Sequence, residues 1–427
     1  MANDRMQGAA RAIGWGLGRI ATRTGLVSRP PVIKRLDAAQ AHGWENASLA
    51  ISAQIQQRHL PHGTVMDPVF VSPDSDEIVS YTRAGDSAIW TGHYLAAESF
   101  RFAVTGSPEA LAHAKGAVQG IRTLIDVTGT NLLARAALPA DSPYAEAIAQ
   151  EEARHGIFAA TLGGTSYRWI GNTSRDQYSG VFFGLSLAYD LIDDPDLRAA
   201  IRELATRLLE FLLRNHWFVV MPDGRISTVF VGRPDQQLAL LQIGRQVNPG
   251  RFDRAYEQGR RGLAGLVVAP IAYEVLDDHN SYFKFNLDTI NLFNLIRLEN
   301  HRRYKLRYRF AYDVLRRTTD DHGNAHFNMI DRGLRESNER RDGETVELLA
   351  AWLERPRRDD FVDLRSQLEA CGPDRACEPI PVVGRVRTDF LWQRSPFLLF
   401  GGGAGRIEGP GIDFILPYWM ARFYEVV

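Results

Sequence analysis

Apolar positions recur every three to four residues along most of the chain, the period of helices that bury a face. This pattern predicts helices over 37–60, 86–105, 108–127, 175–191, 195–214, 235–247, 253–268, 286–300, 302–318, 343–354 and 361–370. Turn chemistry marks their ends. Pro61-His-Gly63 stops the first helix. Ser107-Pro108 and Asp194-Pro195 each supply an N-cap followed by proline at the first helical position. Alternation over Phe218–Val220 and Ile226–Phe230, around Pro222-Asp223-Gly224, predicts a hairpin set between helices. The tail after Pro379 reads as mostly non-helical.

The helices come in pairs of unequal polarity. The stretch 175–191 carries Tyr178, Val181, Phe182, Phe183, Leu185, Leu187 and Tyr189 around most of its circumference, as a helix buried on all sides does. Its partner keeps Ile201, Leu204, Leu208 and Leu212 on one face and Arg202, Glu203 and Arg207 on the other. Buried first helices with amphipathic second helices predict an all-α fold, an (α/α)6 toroid of helical hairpins. It carries small β-hairpin insertions and an irregular C-terminal cap, and an open solenoid-like array is the competing architecture. The expected organisation is a basic arm over 1–36, the toroid over 37–370 and the cap over 371–427.

Composition narrows the partners. The 427 residues hold 50 Lys+Arg against 51 Asp+Glu, a net charge of −1, so no global field draws the chain to nucleic acid or to an anionic membrane. No apolar run approaches the length that spans a bilayer. From Arg5 to Arg35 the arm is basic with no acidic residue, and its one apolar stretch, Ala12 to Gly18, is short for a signal sequence. Cys371 and Cys377 flank Gly372-Pro373, a spacing that fits a loop-closing disulfide worth about 2 kcal/mol. Such a bond points weakly to a periplasmic or secreted protein.

An aspartate recurs near the start of successive helices: Asp86, Asp176, Asp235, Asp288 and Asp342, at spacings of 90, 59, 53 and 54 residues. Helix capping alone explains Asp235, Asp288 and Asp342. Asp86 and Asp176 differ, because each follows an arginine (Arg83, Arg175) and leads into aromatics (Trp90, Tyr178). In a toroid all inner helices start at one end, so these two carboxylates converge there. A carboxylate pair in an aromatic cleft is what glycoside hydrolysis requires, one protonated and one ionised.

Gly85-Asp86-Ser-Ala-Ile-Trp90 and Arg175-Asp176-Gln177-Tyr178, each opening a buried helix, resemble the six-hairpin glycosidase superfamily. The nearest members in pattern are the unsaturated glucuronyl and rhamnogalacturonyl hydrolases. The resemblance covers roughly residues 40–355 in helical cadence and a handful of positions in detail. It implies that Asp176 protonates and positions water with Asp86 as its partner, and no cofactor. An insertion over Leu138–Tyr167 departs from the family spacing.

Other residues are expected at the same mouth as saccharide contacts: Arg83, Trp90, His93, Tyr167, Trp169, Arg175, Gln177, Tyr178, His279, Asn280 and Trp392. Aromatic faces stack on sugar rings and arginine binds carboxylates. No metal site is expected, since the acidic run Pro73–Glu77 lacks the calcium-loop pattern. The reading is therefore a glycoside hydrolase on a poly- or oligosaccharide. A polysaccharide lyase is one alternative, with Tyr178, His93, His279 or His326 as base. The other is a non-catalytic toroid, in which Asp86 and Asp176 are spent on capping and on salt bridges to their arginines.

Overall fold

The computed structural model describes residues 36–427, so the basic arm lies outside the described residues except for Leu36. The described chain is mostly helical with small sheets. The α-helices of the described residues begin with α1 (Ala38–Gln54), α2 (Ser87–Thr105), α3 (Pro108–Asp126), α4 (Ala145–Glu151), α5 (Arg175–Leu191) and α6 (Pro195–Arg214). They continue with α7 (Pro234–Val247), α8 (Pro249–Leu263), α9 (Val268–Glu274), α10 (Tyr282–Leu298), α11 (Arg302–Thr319), α12 (Ala325–Leu334), α13 (Glu339–Leu353) and α14 (Ile412–Phe423).

Six of these helices form a circuit. α2 packs on α5, α5 on α7, α7 on α10, α10 on α12, α12 on α14, and α14 packs back on α2. Their amphipathic partners α3, α6, α8, α11 and α13 lie against them, and α1 packs on α14. Burial follows the sequence pattern: every residue of α5 from Gln177 to Ala188 is buried, whereas α6 buries only one stripe. Ser107 and Asp194 cap α3 and α6, accepting from Ala110 N–H at 3.4 Å and Leu197 N–H at 2.8 Å.

Short strands decorate the helix connections. β1 (Asp67–Phe70) pairs antiparallel with β2 (Ile78–Thr82). The insertion after α3 folds as a sheet in the order β3 (Ala136–Pro139), β5 (Thr165–Ile170), β4 (Ile157–Leu162), with α4 between β3 and β4. The expected hairpin is β6 (Phe218–Val220) with β7 (Ile226–Val229), Phe218 facing Val229.

Four expectations need correction. Residues 361–370 are not a helix: β8 (Val362–Asp363) pairs with β11 (Phe400–Gly401), and only one turn forms at Leu364, whose carbonyl accepts from Gln367 and Leu368 N–H. The cap expected to be irregular contains α14, which packs on α12 and α2 in the inner circuit. The helix at 325–334 went unpredicted because His326, Asn328 and Asp331 interrupt its apolar face while being buried. Asp342 lies within the outer helix α13, whose cap is Asn338. The strands β9 (Ala370–Gly372) and β10 (Arg375–Ala376) form a small hairpin closed by the Cys371–Cys377 disulfide.

Candidate active site

A close helix crossing brings Asp86 and Asp176 together. α2 and α5 meet backbone to backbone at Gly92 and Gly184: a Cβ on Gly184 would lie 2.2 Å from the Gly92 carbonyl oxygen. This close approach brings the two helix N-termini near enough for Asp86 and Asp176 to act on each other and on Arg135. Gln177, buried in the first turn of α5, links the two N-termini. Its Oε1 accepts from Ile89 N–H at 3.0 Å, and its Nε2 donates to Asp86 Oδ1 at 3.1 Å.

Neither aspartate is consumed as a cap. The first amides of α2 are satisfied by others: Ala88 N–H donates to the Arg135 carbonyl at 3.1 Å, and Ile89 N–H to Gln177. Asp86 makes no capping hydrogen bond, and the N-cap of α5 is Ser174. Neither preceding arginine makes an ion pair with its aspartate, although Arg175 acts on Asp176 through its charge. Arg83 pairs with Asp67 at 2.6 Å, and Arg175 donates to the Val229 carbonyl at 2.9 Å. Glu152 takes Gly85 N–H at 2.8 Å and is itself paired with His155 at 2.7 Å, which fixes the turn carrying Asp86.

The shared counter-ion is Arg135. Its guanidinium donates to the Asn172 carbonyl at 3.0 Å and the Gly85 carbonyl at 2.6 Å, and lies 3.6 Å from Asp86 Oδ1. Asp86 keeps 40% of its side chain open to solvent and Asp176 is half-buried. Even so, desolvation by the surrounding protein is the largest influence on both and raises both above the ordinary carboxylate range. Arg135 opposes the rise in each. Asp176 raises Asp86 further, whereas Arg175 and Arg233 add to the opposing pull on Asp176.

A second acidic cluster lies beside the first. Arg233 holds Asp235 at 2.8 Å, Asp288 at 2.7 Å and Glu274 by a short ion pair. Burial and the neighbouring Glu274 push Asp288 well above its usual range. These aspartates are ligands of Arg233 rather than helix caps, and Asp288 lies inside α10 rather than at its start.

The expected aromatic contacts are placed differently from the carboxylates. Tyr178 is fully buried, its hydroxyl accepting from Leu133 N–H. Trp169 is buried in β5 and stacks on Phe158 at 4.4 Å, with Tyr167 half-buried two residues earlier. Trp90 packs edge-on against Phe390 at 4.6 Å. His93 is buried, with Nδ1 on the Ile89 carbonyl and Nε2 against Asn286, and burial lowers its pKa to about 4. Trp392 stacks on His93 at 5.4 Å, so a tail segment covers this part of the ring. His279 bonds Ser395 at 2.8 Å and Asn280 bonds Asp277, both in the loop before α10. Among the described residues no group of His, Cys, Asp and Glu is arranged to hold a metal. Cavities of about 450 and 670 Å³ lie elsewhere, one by Asp331 and Arg335, the other by Gln242 and Arg254.

Arg135 and Glu152 of the site were not among the expected residues. Only Arg135 carried a signal, a lone charge in the apolar run Leu132-Leu-Ala-Arg-Ala-Ala137.

No protein-family model and no curated protein matches the chain. Among solved structures, the cellobiose 2-epimerase from Spirochaeta thermophila is similar over 91% of this chain and 99% of that one. The identity is 10% and the TM-score 0.42.

Proposed function

We propose that the protein is a carbohydrate-active enzyme of (α/α)6 toroid architecture, a glycoside hydrolase whose working pair is Asp86 and Asp176. The carrying observation is that two half-open carboxylates share one guanidinium, are not spent as helix caps, and are both raised in pKa. Two carboxylates facing one arginine in a partly desolvated mouth favour keeping one proton, which is the acid–base state hydrolysis needs.

The charges assign the roles. Asp176 faces Arg135, Arg175 and Arg233, whereas Asp86 faces Arg135 and the Gln177 amide together with the carboxylates of Asp176 and Asp389. Asp86 therefore holds the proton longer and donates it to the glycosidic oxygen as that bond breaks. Ionised Asp176 takes the proton of the water that attacks the anomeric carbon. This reverses the roles the family resemblance implies.

The rival readings have less support. The bases a lyase needs are occupied or buried: Tyr178 and His93 have their polar atoms engaged, His279 is bonded to Ser395, and His326 is buried with no hydrogen-bond partner on either ring nitrogen. The experiment is a panel of neutral and uronate-containing oligosaccharides, read for new reducing ends and for ultraviolet absorbance. Reducing ends without absorbance, lost in Asp86→Asn and in Asp176→Asn, support the proposal. Absorbing products, or full activity in either variant, refute it.

A further inference from the structure

The outer wall of the ring carries an unusual concentration of exposed apolar side chains. Tyr273 and Leu276, on and just after α9, are 74% and 82% exposed, and Leu306 and Phe310 of α11 are 54% and 60% exposed. Leu266, in the turn before α9, is 55% exposed. Helix periodicity places them on one side. α11 buries Tyr308, Ala311, Tyr312 and Leu315, which leaves Leu306 and Phe310 on the opposite face, one turn apart. α9 buries Ile271 and Glu274 and packs along α11, with Tyr273 turned outward.

The same face is basic. Arg302, Arg303, Lys305, Arg307 and Arg309 surround Leu306 with no acidic residue among them, in a chain whose net charge is −1. The carboxylates flanking α11 in the chain are taken, Glu299 by Arg260 and Asp313 by Arg335, while Asp277 beside Leu276 is held by Asn280 and the His279 amide. Among the described residues, Arg302, Arg303, Lys305 and Arg307 pair with no carboxylate.

We infer that the α9–α11 face docks the protein on an anionic lipid surface. Three features select that occupant. A second copy of the chain would set one basic face against another, which like-charge repulsion opposes. The apolar groups protrude from helices instead of lining a groove, so they fit a surface that yields to them. Aromatic and aliphatic side chains rimmed by arginine and lysine are the composition that settles at a headgroup boundary.

The test uses the full chain with vesicles of phosphatidylcholine alone or mixed with phosphatidylglycerol, read by co-sedimentation. Binding to the mixed vesicles is expected to exceed binding to the neutral ones at least about tenfold and to weaken as salt rises. The double variants Leu306→Asp/Phe310→Asp and Arg302→Glu/Arg303→Glu are each expected to bind at least about tenfold more weakly with unchanged circular dichroism. All four positions are exposed, so folding is not at stake. Equal binding to both vesicle types overturns the inference. So does wild-type-like binding by both double variants, which would assign attachment to the basic arm. Retention on immobilised heparin without vesicle binding also overturns it, in favour of an acidic macromolecule.

Discussion

Replacing Gly184 by alanine tests how the site is assembled. The added Cβ would meet the Gly92 carbonyl oxygen at 2.2 Å and its carbonyl carbon at 2.9 Å, whereas real Cβ contacts are rarely under 3.0 Å. Both partners are backbone, so no side chain can swing aside, and α2 and α5 must part by roughly 1 Å. Overpacking of this kind costs about 3 kcal/mol, and alanine's better helix propensity returns about 1 kcal/mol, leaving a loss of about 2 kcal/mol. Gly116 in α3 is the control. It is exposed and a Cβ there meets nothing within 4 Å, so Gly116→Ala keeps only the propensity gain, a stabilisation of about 1 kcal/mol. The assay is urea denaturation followed by circular dichroism. If Gly184→Ala matches wild type, or moves in the same direction as Gly116→Ala, the close crossing does not govern the packing of the two helices.

Three further outcomes are expected. Asp176→Asn stabilises the protein at pH 7. Burial raises the native pKa above the 3.8 of the unfolded chain, so the native state gains least from this group once it is ionised, and the advantage of asparagine fades as pH falls below about 4; denaturation midpoints at the two pH values decide it, and a variant less stable at pH 7 contradicts the assignment. Arg135→Met removes the counter-ion of both carboxylates and two carbonyl hydrogen bonds. A loss of about 3 kcal/mol is expected, at the low end for a buried pair because Asp86 is partly exposed, together with a further rise in the Asp86 pKa by carboxyl NMR. Reducing the Cys371–Cys377 disulfide lowers stability by about 2 kcal/mol through its short loop, measured as a shift in the denaturation midpoint.

The helices that the sequence made legible are those in which polarity and punctuation agree. α5 and α6 have opposite polarity patterns, an Asp-Pro start between them, and ends that match the expected ranges. α12 and α14 fail that test for different reasons. Buried His326, Asn328 and Asp331 break the apolar stripe of α12, and Pro417 interrupts α14. At 361–370, Phe361, Leu364 and Leu368 imitate helical spacing, but the segment pairs with β11 instead. The site was half legible. Asp86, Asp176 and Gln177 stand at helix starts, where sequence position predicts location. Arg135 reaches them from the strand side of an insertion, and no local pattern announces that a distant loop folds over a helix end. Tyr178 and Trp90 read as sugar platforms because an aromatic beside an aspartate looks the same in sequence whether it lines a cleft or packs a core.

The central claim is that Asp86 and Asp176 cleave a glycosidic bond with water. Reaction in heavy-oxygen water, with the products analysed by mass spectrometry, tests it most directly. The account predicts that the new reducing end carries the heavy oxygen and that Asp86→Asn and Asp176→Asn form no labelled product. Unlabelled or unsaturated products from the wild-type protein, or labelled product formed undiminished by both variants, would contradict it.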